Sequence, residues 1–289
     1  MKQSVLALLI GILPVIAQSA PVEGGLLRRT YIEGECLRYH MKGEDGGTTY
    51  EVRLTASVKK DAENRFFEEY AWSDLVKNGA PRALSPTAQA FRLAVTLEPG
   101  GVPFLLPDLS KAEGLVGPVT DLMTFYADLF LAMHAGVLRK PGDHFYFPNP
   151  VKASWADGRT VIIGEDDIDF DITLKEIDAS SAVVLIKHVP PPAPKIRFVA
   201  DWMRSPVADS PNNWVEVRRT RTGYAASVGK ETFDVELRID LKDGRILAAK
   251  MDNPVTRITR ECTDEALTQC GEPRPNPVHR RIVMTLLRD

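Results

Sequence analysis

The stretch "VTDLMTFYADLFLAMHAGVL", residues 119–138, decides the fold, because it is a long helical run in a chain that otherwise alternates like strands. On a helical wheel its polar side chains share one arc of about 100°: Thr120, Asp121, Thr124 and Asp128. Apolar side chains fill roughly 200°, whereas a surface helix usually hides a stripe of about 100° or slightly more. The sequence therefore predicts a helix near residues 117–139 that other elements surround, with its Asp/Thr edge facing solvent.

A membrane span is the first alternative for such a helix. Asp121 and Asp128 would each cost about 2.5–3.5 kcal/mol in a bilayer, so the chain is predicted not to span a membrane. A flat sheet would cover only one side of the helix, but a strongly curved sheet covers two or three. Twist and bulges produce such curvature.

The segments on both sides of the helix alternate with the period of strands. In "DIDFDITLKEI" the apolar side chains at positions 168, 170, 172 and 174 lie on one face, which is the antiparallel pattern with one wet face. Turn signals such as "EDGG", "DASS" and "KDG" separate these segments. The predicted fold class is mainly β (α+β): a large curved antiparallel sheet or half-barrel of about ten strands that encloses the one apolar helix.

The first twenty residues have the pattern of a secretory signal peptide. Lys2 precedes an apolar core of 12 residues, and small residues follow it at positions 17, 19 and 20. The core is too short for a membrane anchor, which needs about 20 residues. The sequence predicts export to the periplasm or the extracellular space. The rest, 21–289, is predicted to be a single curved-sheet domain with a Pro-rich loop at 189–195.

An exported chain matures where disulfides persist, so its cysteines are candidates for disulfide bonds. Cys262 and Cys270 are close in sequence and are predicted to form a disulfide, with Cys36 left over. The formal net charge of −3 and the lack of a long basic run argue against nucleic acid as a partner. Arg280 and Arg281 are expected on the solvated face of their strand, with a small basic patch as the alternative.

Sequence motifs for catalysis are missing. Neither HExxH nor GxSxG occurs, so no catalytic residue, metal or cofactor is predicted, and an enzyme is the least favoured class. Asp166, Asp167, Asp169 and Asp171 could suggest calcium. Their strand-like spacing favours a solvated strand face instead.

Two groups of residues are candidates for binding an apolar ligand. The helix contributes four of them: Met123, Tyr126, Phe130 and Met133. The loop "DWMRSPVADSPNNW" contributes three: Trp202, Met203 and Trp214. Aromatic side chains on a loop can form the rim of a ligand site, but they can equally fold back as a cap on the core.

The order of elements also resembles a known architecture. "YIEGECLRYHMKGEDGGTTYEVRL" precedes the helix, and "LRKPGDHFYF" and "LKDGRILAAKMDNP" follow it. This order is similar to that of secreted bacterial proteins with a β half-barrel and a helical plug and, more distantly, to LolA-like lipoprotein carriers. The resemblance implies a cup that holds an apolar small molecule or lipid without catalysing a reaction. The alternative is a structural or protein-interaction module of the cell envelope with a solid core.

Overall fold

The computed structural model describes residues 25–99, 102–148, 153–154 and 161–287. The predicted signal peptide at residues 1–20 lies outside the described residues.

The described residues form sixteen strands and two α-helices, with short 3-10 helices at Leu109–Lys111 and Asp201–Arg204. Before the long helix the elements are β1 (Cys36–Asp45), β2 (Thr48–Lys60), β3 (Phe66–Lys77), β4 (Ala80–Pro81), α1 (Pro86–Ala90) and β5 (Leu93–Val95). The middle of the chain forms α2 (Val116–His134), β6 (His144–Phe147), β7 (Ala153–Ser154), β8 (Val161–Asp166), β9 (Asp169–Ile177) and β10 (Ser181–Val189). The remaining strands are β11 (Trp214–Arg219), β12 (Tyr224–Glu231), β13 (Phe233–Asp240), β14 (Ile246–Cys262), β15 (Arg274–Pro275) and β16 (Val278–Leu286).

All of the strands belong to one open antiparallel sheet, which branches at the 17-residue strand β14. The main arm runs β6-β9-β10-β13-β14-β16-β1-β2-β3, and β4 and β5 both pair with β3. The second arm runs β7-β8-β11-β12-β14, with β15 on the far side of β14. The predicted mainly β fold with one apolar helix is confirmed. The predicted count of about ten strands is too low, because strands of two or three residues such as β4, β5, β7 and β15 carry no visible alternation.

Helix α2 lies against the concave face of the main arm. It ends at His134, five residues before the predicted end, and Gly136 follows with a φ of +63°, a left-handed conformation that stops helices. Side chains of Leu122, Phe125 and Leu129 have no exposed surface.

The expected orientation of the polar edge of α2 is wrong for its two aspartates. Asp121 is 2% exposed and Asp128 is 1% exposed, whereas Thr120 and Thr124 are partly exposed. The aspartates turn inward because basic side chains of the sheet meet them, as described below.

The buried side chains form two hydrophobic cores. The first surrounds α2 and the main arm, and the second lies between the second arm and residues 196–203 together with Leu267. The predicted disulfide between Cys262 and Cys270 is present and lies at the second core. Of the predicted Pro-rich loop at 189–195, Val189 is the last residue of β10, and residues 190–195 belong to no strand and connect β10 to the cover of the second core. Strand β14 contributes to both cores, and the single-domain organisation stays a prediction.

Candidate functional site

The candidate site is the interface between α2 and the concave face of the main arm. Among the described residues it is apolar apart from three polar contacts, which we name the Asp121, Tyr126 and Asp128 contacts after their helix residues; the helix side chains are buried, and the two donors to Asp121 are partly exposed. Buried charges cost free energy unless they are paired and hydrogen-bonded, so charged groups inside a core call for a functional or structural explanation.

In the Asp121 contact, two strands donate hydrogen bonds to one helix carboxylate. Tyr50 Oη of β2 donates to Asp121 Oδ2 at 2.5 Å, and Arg280 Nη2 of β16 donates to Oδ1. Arg280 also donates through Nη1 to Asn253 Oδ1 at 3.3 Å. Gly43 makes room for this arrangement, because a Cβ there would lie 2.1 Å from the Tyr50 ring. The strands therefore hold both donors in place beside the helix.

The protonation states in the Asp121 contact follow from burial and from the neighbouring charges. Burial raises the pKa of Asp121, and Arg280 and Tyr50 oppose that rise. Burial lowers the pKa of Arg280, but Asp121 and the nearby acidic groups outweigh it, so that the net pKa rises. The pKa of Tyr50 is raised by burial and by Asp121, which keeps its hydroxyl protonated as a donor. The contact is thus a cation and a neutral donor around one carboxylate.

The Tyr126 contact joins the helix to a carboxylate on β3. Glu68 is 1% exposed and accepts from Arg29 Nε at 2.8 Å and from Tyr70 Oη at 3.0 Å. Tyr126 Oη of α2 donates to the same Oε2 atom as Tyr70. Burial, and then the charge of Glu68, raise the pKa of both tyrosines well above the usual value, so both stay protonated. Three donors satisfy this carboxylate inside the core.

The Asp128 contact joins the helix to β10. His188 Nε2 lies 2.9 and 2.8 Å from the two carboxylate oxygens of Asp128. The imidazole lies between the Phe233 ring, 4.2 Å away, and the Phe170 ring, 4.7 Å away. Burial raises the pKa of Asp128, and His188 opposes that rise. Both helix aspartates therefore face a basic side chain of the sheet.

The structure separates the seven sequence-predicted binding residues: the four helix residues lie at the first core, Trp202 and Met203 lie at the second, and Trp214 belongs to neither. Met123, Tyr126 and Phe130 are buried in the first core, and Met133 packs against it. The three loop residues do not lie beside α2: Trp202, Met203 and Trp214.

The three loop residues lie at the second arm. Met203 is fully buried in the second core, and Trp202 packs against that core and donates from Nε1 to Leu267 O at 3.0 Å. Trp214 is buried, with the Arg257 guanidinium 5.4 Å from its ring centroid. Met203 and Trp202 of the loop therefore pack on the second core, and the loop does not meet the helix candidates.

The four aspartates near residue 168 also separate. Asp167 accepts from Lys195 N, Asp169 accepts from Tyr146 Oη, and Asp171 pairs with His144 Nε2 at 2.5 Å. Asp166 Oδ1 is buried and has no hydrogen-bond partner among the described residues. Within the described ranges no group of three or more His, Cys, Asp or Glu side chains is arranged to hold a metal ion.

Sequence reasoning missed the sheet residues of the site. Four residues were not identified as inward-facing groups: Tyr50, Glu68, His188 and Arg280. The signal that could have found them is the alternation itself. Arg280 has the same parity as the buried Ile282 and Met284, so its side chain starts on the concave face.

The hollow of the main arm is filled in this state. Since Leu122, Phe125 and Leu129 have no exposed surface, no space for a water-sized molecule adjoins them. A depression of about 160 Å³ occurs on the opposite face of β1 to β3, where Arg38, Arg53 and Ser73 line it. Anything that binds on the concave face must replace α2.

The fold and site define a class: an open antiparallel half-barrel whose hollow is occupied by its own helix. No protein-family model matches the chain, and no curated protein sequence matches it. No helix in the part of the chain that the structure describes is long and apolar enough to cross a membrane.

Proposed function

We propose that this chain is an exported, non-enzymatic binding protein that holds an apolar or lipid-like ligand in the hollow that α2 occupies. The observation that supports the proposal is that α2 places an almost wholly apolar surface against the sheet and is tied to it by only three polar contacts. An alkyl chain offers the sheet the same kind of surface. In this proposal α2 is a plug that the ligand displaces.

The polar contacts of α2 fix its position on the sheet more than they stabilise the closed state. Buried ion pairs usually add little net stability compared with apolar residues of the same volume. They do fix one geometry, and their partners can be rehydrated when the helix leaves. The segments that flank α2 are irregular apart from the short 3-10 helix, and its N-cap residue Leu115 makes no side-chain cap. The helix thus starts without a side-chain cap, although Leu115 and Leu138 beside its two ends are buried in the first core.

Export is part of the proposal. The disulfide between Cys262 and Cys270 fits an oxidising compartment, where such bonds persist. The signal-like pattern of residues 1–20 supports the same conclusion. The periplasm and the extracellular space both fit.

The second candidate is an interaction module of the cell envelope with a solid core. The complete burial of Leu122, Phe125 and Leu129 favours it. Exposed apolar side chains such as Leu105 and Ile32 would then belong to a docking surface for another protein. The two candidates differ in one respect, because only the binding protein must release α2.

Native mass spectrometry of the mature protein, exported and purified without detergent, separates the two candidates. A binding protein should carry a discrete added mass that is lost on denaturation. Amide hydrogen exchange with and without an added neutral apolar dye, N-phenyl-1-naphthylamine, is the second measurement. Dye binding should speed up exchange in residues 116–134 and leave the second arm, residues 214–231, unchanged. A bare mass, no bound dye and unchanged exchange would leave the solid-core module.

A further inference from the structure

We infer that the ligand carries a carboxylate, and that Arg280 and Tyr50 bind this headgroup when Asp121 leaves with the helix. The inference rests on the proposed function and names its ligand class: a long-chain fatty acid. In the closed state the Asp121 carboxylate stands in for the headgroup, and the apolar side of α2 stands in for the alkyl chain.

The two donors belong to the sheet, and each also has a contact there that does not involve the helix. Arg280 donates to Asn253 Oδ1, and Asn253 Nδ2 in turn donates to Glu231 Oε1 at 3.0 Å and to Thr232 O at 2.9 Å. Tyr50 lies across Gly43, the residue opposite it on β1. Donors that are fixed in advance lower the cost of binding.

Displacement of α2 leaves an unpaired cation in the hollow. Arg cannot lose its proton in proteins, so a ligand without an anion would leave the Arg280 guanidinium, whose side chain is 27% exposed in the closed state, beside an apolar chain without its carboxylate partner. Glu231 does not take over the role of Asp121, since it is itself buried and accepts from Asn253. A ligand carboxylate restores both hydrogen bonds that Asp121 made.

The Asp128 contact differs from the Asp121 contact in its basic side chain, and this difference places the headgroup of the ligand at Arg280. In the Asp128 contact the basic group is an imidazole, a side chain that has a neutral form, whereas a guanidinium has none in proteins, and the ring packs against Phe170 and Phe233. When Asp128 leaves with the helix, no side chain at this position of the sheet has to carry a charge. An alkyl chain can therefore lie beside His188. From Asp121 to His134 the helix covers roughly 20 Å of the hollow, which suits one long chain with its acid at the Arg280 end.

The experiment compares oleic acid with oleyl alcohol, which has the same chain and no charge, at pH 8. We expect the wild-type protein to bind the acid about ten- to a hundred-fold more tightly, as charge-assisted hydrogen bonds imply. Asp121→Asn should tighten both ligands by a similar factor, because it weakens the closed state and leaves the open site intact. The acid-to-alcohol ratio should therefore stay at the wild-type value.

The double variant Asp121→Asn/Arg280→Gln removes the cation without leaving a buried charge. It should still bind the alcohol, and its acid-to-alcohol ratio should fall to about one. Tyr50→Phe keeps the ring over Gly43 and should reduce the ratio several-fold. Arg281→Gln is the matched control, since Arg281 is the next residue and pairs outward with Asp252, 3.5 Å away. Circular dichroism melts check that each variant is folded.

The outcomes separate the inference from the proposed function. Equal binding of acid and alcohol by the wild-type protein would overturn the carboxylate site and leave the binding function standing. A ratio that survives in the double variant would also overturn the site, because the charge would be recognised elsewhere. If neither ligand binds, the proposed function is wrong, and the inference falls with it.

Discussion

At the scale of single residues, the buried carboxyl groups make the pH dependence of stability unusual. Burial, and then the nearby charge of Glu231, raise the pKa of Asp166 well above its usual value. Burial also raises the pKa of Asp121, Asp128 and Glu231. A raised carboxyl pKa means that the folded state binds more protons than the unfolded chain, so stability falls as pH rises from about 4 through the folded-state pKa.

Asp166→Asn tests this sign. Because the pKa of Asp166 is raised on folding, the wild-type protein loses stability at neutral pH, whereas at pH 4 the protonated acid resembles an amide. We expect the variant to be more stable than the wild type at pH 7.5 and to lose most of that advantage at pH 4. Urea unfolding at the two pH values measures the difference.

Asp178→Asn is the control, because the pKa of Asp178 is shifted in the opposite direction to that of Asp166. Backbone N–H groups of Ser180 and Ser181 donate to Asp178 and lower its pKa, so its stabilisation is complete above about pH 4 and is lost only in acid. The variant should be less stable than the wild type by the same amount at pH 5 and at pH 7.5. An Asp166→Asn effect that is equal at pH 4 and pH 7.5 would contradict the raised pKa of Asp166.

At the scale of elements, the apolar surface of α2 accounts for its position. Leu129→Ala removes a fully buried side chain and should lower the free energy of unfolding by about 2–5 kcal/mol, because the cavity cannot collapse completely. Leu105→Ala is the matched control, since Leu105 is 80% exposed, and should change stability by less than about 0.5 kcal/mol. Urea unfolding curves give both values. Equal effects would mean that α2 is not enclosed.

The helix and the long strands can be predicted from the sequence, but the orientation of the helix aspartates cannot. The over-wide apolar arc of residues 119–138 indicates an enclosed helix, and alternation predicts the long antiparallel strands. Polarity alone misassigns Asp121 and Asp128, since a wheel shows the direction of a side chain but not what lies opposite it. The partners could be assigned from parity: Glu68 shares a strand face with the buried Tyr70 and Trp72, and His188 shares one with the buried residues at positions 184 and 186.

The pairing of helix and strand residues could not be predicted. Arg280 lies 159 positions from Asp121 in the chain, and only the strand order β2-β1-β16 brings Tyr50 and Arg280 to the same carboxylate. The second core was missed for a related reason. Its loop residues Trp202 and Met203 are apolar in the same way as the helix candidates, and composition does not show which core an apolar side chain joins.

At the scale of the whole molecule, β14 connects the two cores. Its first half pairs with β13 and β16 in the main arm, and Val255–Cys262 pairs with Tyr224–Glu231 of β12 in the second arm. Val255 pairs with both β12 and β16. Loss of either core removes partners from the same continuous strand. We therefore expect the chain from residue 21 onward to unfold as one cooperative unit.

Tryptophan fluorescence can follow each core separately. Trp72 lies in the first core, whereas Trp202 and Trp214 lie at the second arm. With Trp155 replaced by Phe throughout, one variant keeps only Trp72 and the other keeps only Trp202 and Trp214. Each substitution changes stability slightly, and circular dichroism on the same variants measures that change. After this correction, the two fluorescence midpoints in urea should coincide with the loss of the β signal in circular dichroism. Two separate transitions would divide the chain into two units that meet at β14, and helix release would then leave the second arm folded.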